Sequence, residues 1–150
     1  RVIKAPRMYF LDTGLCAHMM GWGSAAVLEN SSMSGAFFET WVVSEIYKSY
    51  LNAGKRPPLY FYRDSNKKEI DVILYQNGTV YPIEIKKSTA PKNAIKNFSV
   101  LSPITEEPED DVFSGAAHLK TEIGTGAVVC LATDILPIDK KNWYVPAWII

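Results

Sequence analysis

Four ionisable residues interrupt two apolar runs in the stretch EIDVILYQNGTVYPIEIKK, residues 69–87: Glu69 and Asp71 before an Asn-Gly pair, Glu84 and Lys86 after it. Asn-Gly between apolar runs is a strong signal for a hairpin whose two turn residues both have φ > 0. With Asn77 and Gly78 as the turn, Ile70 faces Ile85, Val72 faces Ile83 and Leu74 faces Tyr81. That side is wholly apolar, which makes it the core face. On the other side Asp71 faces Glu84 and Glu69 faces Lys86. Directly opposed like charges destabilise a strand pair, so Asp71 against Glu84 calls for a cause. A divalent cation is one, because Mg²⁺ takes oxygen ligands at about 2.1 Å and two carboxylates at this spacing can share it. Lys86 would then hold its ammonium beside that ion. The alternative is a solvated face with a Glu69–Lys86 cross-strand pair.

The element that must bring further groups to this hairpin is the preceding segment AFFETWVVSEIYKSYLNA, residues 36–53, which reads as a helix closed by Gly54, with Pro57 and Pro58 beyond it. Its polar arc is Thr40, Ser44 and Lys48. Glu39 lies opposite, among Val42, Val43, Ile46 and Tyr50, where an ionised carboxylate needs a partner, a proton or a metal. It could complete a cation site with the hairpin acids or pair with Arg63. Glu45 reads as a residue at the edge of the apolar stripe.

Around these elements, RMYFLDTGL reads as a short strand entering a helix with Asp12 as its N-cap, and GWGSAAVLENSSMSG as an irregular connection. PLYFYRD is a β-rich run, APKNAIKNF a short amphipathic helix with Pro91 at its start, and SPITEEPEDD an acidic mobile loop. GAVVCLA suits a strand buried on both faces, and NWYVPAWII a final strand.

The chain has 150 residues, enough for one sizeable core, and its 16 basic and 16 acidic side chains cancel. No overall field draws it to nucleic acid, so phosphate would have to be met locally. Cys16 and Cys130 lie far apart without metal-ligand spacing, which fits a reduced, cytoplasmic protein. No apolar run approaches the roughly 20 residues that span a bilayer. The chain opens at Arg1 without Met and reads as a fragment of a longer polypeptide.

In their order, GAFFETWVVSE, YFYRD, KKEIDVIL and YPIEIKKS, preceded by KAPRMYFLDTGL and followed by WYVPAWII, resemble the C-terminal domain of unknown function of a family of bacterial and archaeal AAA+ ATPases. That domain in turn resembles the PD-(D/E)XK nuclease superfamily. The resemblance covers nearly the whole chain and implies an α/β, restriction-endonuclease-like core: helix, three-stranded antiparallel meander, helix and strand, in a central mixed sheet flanked by helices. Residues 1–35 would extend that core within a single domain. It further implies one or two Mg²⁺ or Mn²⁺ ions held by Glu39, Asp71, Glu84 and the backbone carbonyl of Ile85. Lys86 would orient or deprotonate the attacking water or stabilise the developing charge. The implied reaction is phosphodiester hydrolysis of DNA. Lys87, Lys92, Lys96 and Arg63 would supply weak, local contacts to the nucleic acid, with a solvated helix face as the alternative for the lysines.

No G-x-x-x-x-G-K-[ST] occurs, so no ATPase activity is expected from these residues themselves. A competing reading is a non-catalytic DNA-binding, interaction or homo-oligomerisation module serving the ATPase portion, with Tyr9, Trp22, Trp143 and Trp148 as candidate contacts. A small-molecule enzyme has little support, since His18 and His118 lack triad-like neighbours.

Overall fold

The computed structural model describes residues 6–101 and 121–150. The acidic stretch SPITEEPEDD and His118 lie outside the described residues. Two short helices, α1 (Thr13–Met19) and α2 (Ala25–Glu29), precede the long α3 (Ser34–Asn52). Seven strands follow: β1 (Leu59–Arg63), β2 (Glu69–Gln76), β3 (Thr79–Ile85), β4 (Glu122–Ile123), β5 (Gly126–Cys130), β6 (Leu136–Pro137) and β7 (Asn142–Pro146). They form one mixed sheet in the order β1-β2-β3-β5-β7-β6, with β4 beside β3. The meander β1-β2-β3 is antiparallel, whereas β3, β5 and β7 run parallel. This is an α/β protein with a central mixed sheet and helices, as the element order suggested.

Asn77 (φ 51°) and Gly78 (φ 77°) both take the left-handed conformation, and the turn sets the register Val72↔Ile83 and Leu74↔Tyr81. Asp12 caps α1 by accepting from the Leu15 amide, but residues 6–12 form no strand. Gly54 (φ 67°) closes the region after α3.

The sheet is covered on both faces. On one, Val42 and Val43 of α3 pack on Val72, Ile85 and Val129. On the other, Ala94 and Ile95 pack on Val128 and Cys130. Alternate residues of β5 thus enter different cores, as expected of a strand buried on both sides.

Four further expectations are corrected. Ser44 is buried, not on a polar arc, and its hydroxyl donates back to the Trp41 carbonyl. Residues 91–98 are not an amphipathic α-helix: turns lead into a 3₁₀ segment, Lys96–Val100. Asn93 at φ 54° interrupts any helix there. The connection before α3 contains α2, and NWYVPAWII leaves the sheet at Pro146 for a 3₁₀ turn.

That 3₁₀ segment rests on bare backbone. A Cβ on Gly126 would stand 2.6 Å from Phe98 Cε2 and would also collide with Asn142 Oδ1. Gly126→Ala should therefore cost about 1–3 kcal/mol through overpacking, read as a lowered midpoint in urea denaturation.

Candidate metal centre

Strands β2 and β3 pair from the turn only as far as Val72↔Ile83. Beyond that point β3 continues on β5, with Glu84↔Val128 and Ile85↔Val129, and the Lys86 amide donates to the Val129 carbonyl. The Ile85 amide faces the lost partner, and Asp71 Oδ2 accepts its hydrogen bond at 2.9 Å. A side chain thus replaces a rung of the ladder, and this fixes the Asp71 carboxylate. Asp71 and Glu84 share the face predicted from the turn, but as neighbours across a parting, not as a laddered pair.

Both acids are buried, at 8% and 5% exposure. One ammonium answers both: Lys86 Nζ lies 2.6 Å from Glu84 Oε1 and 3.6 Å from Asp71 Oδ2. Burial raises the pKa of Glu84, and the charge of Asp71 adds to the shift while Lys86 opposes it. Burial also works against the charge of Lys86, but its hydrogen bond to Glu84 and the charges of Asp71 and Glu84 outweigh this and raise its pKa. Lys86 is therefore held as a cation.

Glu69 does not pair with Lys86. Its carboxylate binds Arg63 Nε at 2.9 Å and Arg7 Nη2 at 3.0 Å. Glu39 does not pair with Arg63 either. Its Oε1 accepts from Arg7 Nη1 at 3.1 Å and from the Tyr9 hydroxyl at 2.9 Å. Burial is the main cause of its raised pKa, with the Asp71 charge second. Burial likewise pushes the Tyr9 phenol up to about 12, so it stays a donor to Glu39. Glu45 lies at the helix edge, paired with Lys48.

The site opens into a cleft of about 440 Å³ lined by Asp71, Glu84, Lys86, Lys92, Lys96 and Asn97. Asn97 Nδ2 donates to the Glu69 carbonyl at 2.8 Å and the Tyr144 hydroxyl to the Pro91 carbonyl at 2.9 Å. These bonds hold residues 91–97 against the sheet and set Lys92 and Lys96 on the cleft rim. Lys87 points elsewhere: it donates to the Glu29 carbonyl and borders an apolar cavity of about 560 Å³ with Trp22, Phe37 and Trp41. Trp22 packs at a tilt against Phe37 with centroids 5.0 Å apart, whereas Trp148 is exposed.

Among the described residues, no group of three or more His, Cys, Asp or Glu side chains is spaced to hold a metal ion between them. The donor set nevertheless fits a divalent cation in kind. Two buried carboxylates converge on a single ammonium, and Glu84 Oε2 is buried without a hydrogen-bond partner. A buried carboxylate oxygen with no donor is costly unless a cation meets it.

The profile of a domain of unknown function, DUF4143, matches residues 34–150, from the first residue of α3 onward. The chain belongs to the DUF4143 family. Two uncharacterized proteins, of Mycobacterium tuberculosis and Mycobacterium bovis, are each 31% identical to this DUF4143 chain over 88 residues, 59% of its length. The match spans 19% of each relative, so the chain corresponds to about a fifth of those proteins. No solved structure matches.

Sequence reasoning missed Arg7. The signal was faint: Arg7 and Tyr9 stand two apart in an extended segment whose Pro6, Met8 and Phe10 are exposed, so the basic and phenolic side chains share the inward side. No local pattern tied them to Glu39, 30 and 32 positions away.

Proposed function

We propose that this DUF4143 chain is a divalent-cation-dependent nuclease domain with a restriction-endonuclease-like core, hydrolysing phosphodiester bonds of DNA as part of an AAA+ ATPase polypeptide. The carrying observation is the pair of buried carboxylates, Asp71 and Glu84, meeting the partly exposed Lys86 ammonium, with one Glu84 oxygen unpartnered. Asp71, Glu84 and the Ile85 carbonyl would hold Mg²⁺ or Mn²⁺. The ion supplies Lewis acidity to a phosphoryl oxygen and lowers the pKa of a bound water.

The remaining work falls to the chain itself. The Ile85 amide holds Asp71 Oδ2, so the carboxylate meets its substrate already oriented. Lys86, kept protonated by two carboxylates, can donate to a phosphoryl oxygen as negative charge grows there. Lys92 and Lys96 on the cleft rim suit the flanking phosphates, and with so few cations binding should weaken steeply with salt.

Wild-type protein with Mn²⁺ or Mg²⁺ should cleave at least one of single-stranded, duplex or branched DNA, and EDTA should stop it. Asp71→Ala and Lys86→Ala should leave only background. Equal cleavage by all three proteins would sink the proposal.

A second reading, a non-catalytic interaction module of the same polypeptide, is favoured by the exposed Trp148, by Leu15 and Met19 at the surface of α1, and by Met20 just beyond it. Inactive but folded protein that binds the ATPase portion would support it.

A further inference from the structure

We propose that Arg7 is an internal counter-cation of the candidate centre, and that a divalent ion must displace its guanidinium to gain Glu39 as a ligand. This rests on the metal-dependent reading above and adds a residue that competes with the ion.

Three carboxylates from two elements converge on this one guanidinium. Nη1 lies 3.1 Å from Glu39 Oε1 on α3 and 3.9 Å from Asp71 Oδ1 on β2, and Nη2 lies 3.0 Å from Glu69 Oε2. The Phe61 ring supports the group from below, 5.2 Å from its centroid. Asp71 thereby faces a different cation with each oxygen, Arg7 at Oδ1 and Lys86 at Oδ2. Among the described residues Glu39, Asp71 and Glu84 form no three-acid metal site, and the Oε1 atom of Glu39 is engaged by Arg7 and Tyr9.

A cation of charge +2 bound at Asp71 would stand next to the guanidinium, and like charges at such range repel strongly where solvent is scarce. Arg7 can move without breaking a helix or a strand ladder. It sits on residues 6–12, which belong to no helix or strand, and its side chain is one-quarter exposed. When a competing group holds the binding-competent state to a small fraction, the observed metal affinity falls by that fraction. Removing the competitor should restore it.

The test is Mn²⁺ binding by isothermal titration calorimetry to the full 150-residue chain, alongside metal-free thermal unfolding. Arg7→Gln should bind Mn²⁺ on the order of tenfold tighter than wild type, the fold-change expected if the competent fraction rises from about a tenth to nearly all. Without metal, Arg7→Gln should melt lower, because Glu39, Glu69 and Asp71 lose their shared cation, and saturating Mn²⁺ should restore more of that loss than it adds to wild type. Glu69→Gln is the second variant: its carboxylate bonds Arg7 and Arg63, so the change loosens the clamp and leaves Asp71, Glu84 and Lys86 untouched. It should also tighten Mn²⁺ binding, and it carries the test alone if Arg7→Gln does not fold. Unchanged or weaker binding in the folded variants, with wild type binding Mn²⁺, overturns the counter-cation and leaves the metal site standing. No Mn²⁺ binding by wild type or either variant overturns both.

Discussion

Lys86→Met should lower the stability of the folded chain by about 2–4 kcal/mol near neutral pH, and the loss should shrink as the solution is acidified. Removing one partner of a buried ion pair costs about 3–5 kcal/mol, and the lower figure reflects solvent screening at a side chain that is 44% exposed. Asp71 and Glu84 would be left facing each other across the parting of β2 and β3. The pH dependence follows from Glu84. Burial already raises its folded pKa above the ordinary carboxylate value of 4.5, and Lys86 supplies the hydrogen bond and charge that hold it down. Without Lys86 the folded pKa climbs further. An acid with a raised folded pKa binds its proton more tightly when folded, so its destabilising effect is absent below the unfolded pKa and grows as pH rises through the folded value. The raised pKa of Lys86 has the complementary meaning: its stabilisation is present through neutral pH and is lost only as pH rises through its own folded value. Urea midpoints for wild type and variant at pH 7 and pH 5 measure this. A deficit that stays constant between them would show that Lys86 acts through packing of its methylene stem alone.

Asp71→Ala should do the reverse, with a small effect on the fold and a large one on the reaction. It deprives the Ile85 amide of its acceptor, and an unsatisfied buried N–H costs about 1–3 kcal/mol. Relief of the repulsion that Asp71 exerts on Glu84 and Glu39 offsets part of this. Under the proposed function, loss of a ligand at the reacting centre should reduce metal-dependent cleavage on the order of 10²–10³-fold. Asp71→Asn separates the two effects. Its amide oxygen can still accept from Ile85 while the charge is gone, so the unfolding midpoint should stay close to wild type and cleavage should still collapse. Should Asp71→Asn cleave normally, the carboxylate serves the backbone and not the reaction.

The hairpin was readable because its information is local. Asn77 and Gly78 set a two-residue turn, and counting outward from it aligned the apolar core face and put Asp71 and Glu84 on one side. The count stopped describing the structure where β2 parts from β3, which stays in the sheet through its other edge. Past Ile83, β3 is paired with β5 on its far edge, whose first paired residue, Ala127, lies far along the chain, and nothing near Glu84 announces the loss of β2. Glu39 is recognisable as an acid that needs a partner, a proton or a metal, with Arg63 as the alternative to a cation; its actual partner is Arg7, and the opening segment lacks any periodic signal that would reveal it. Ser44 failed for another reason: a hydroxyl can satisfy itself on the preceding turn of its own helix, which lets a polar residue enter a core. Asn93 broke a promising helical pattern by adopting a left-handed backbone that composition alone does not reveal.

The strand order also limits how this protein can associate. One border of the sheet is β6, two residues long and ending in Pro137, which has no amide to offer a neighbour. The other is β1, where the pairing slips between Tyr60 and Tyr62 and Arg63 stands exposed. Among the described residues neither border presents a long, flat row of free backbone groups, so growth by adding a foreign strand is disfavoured at both.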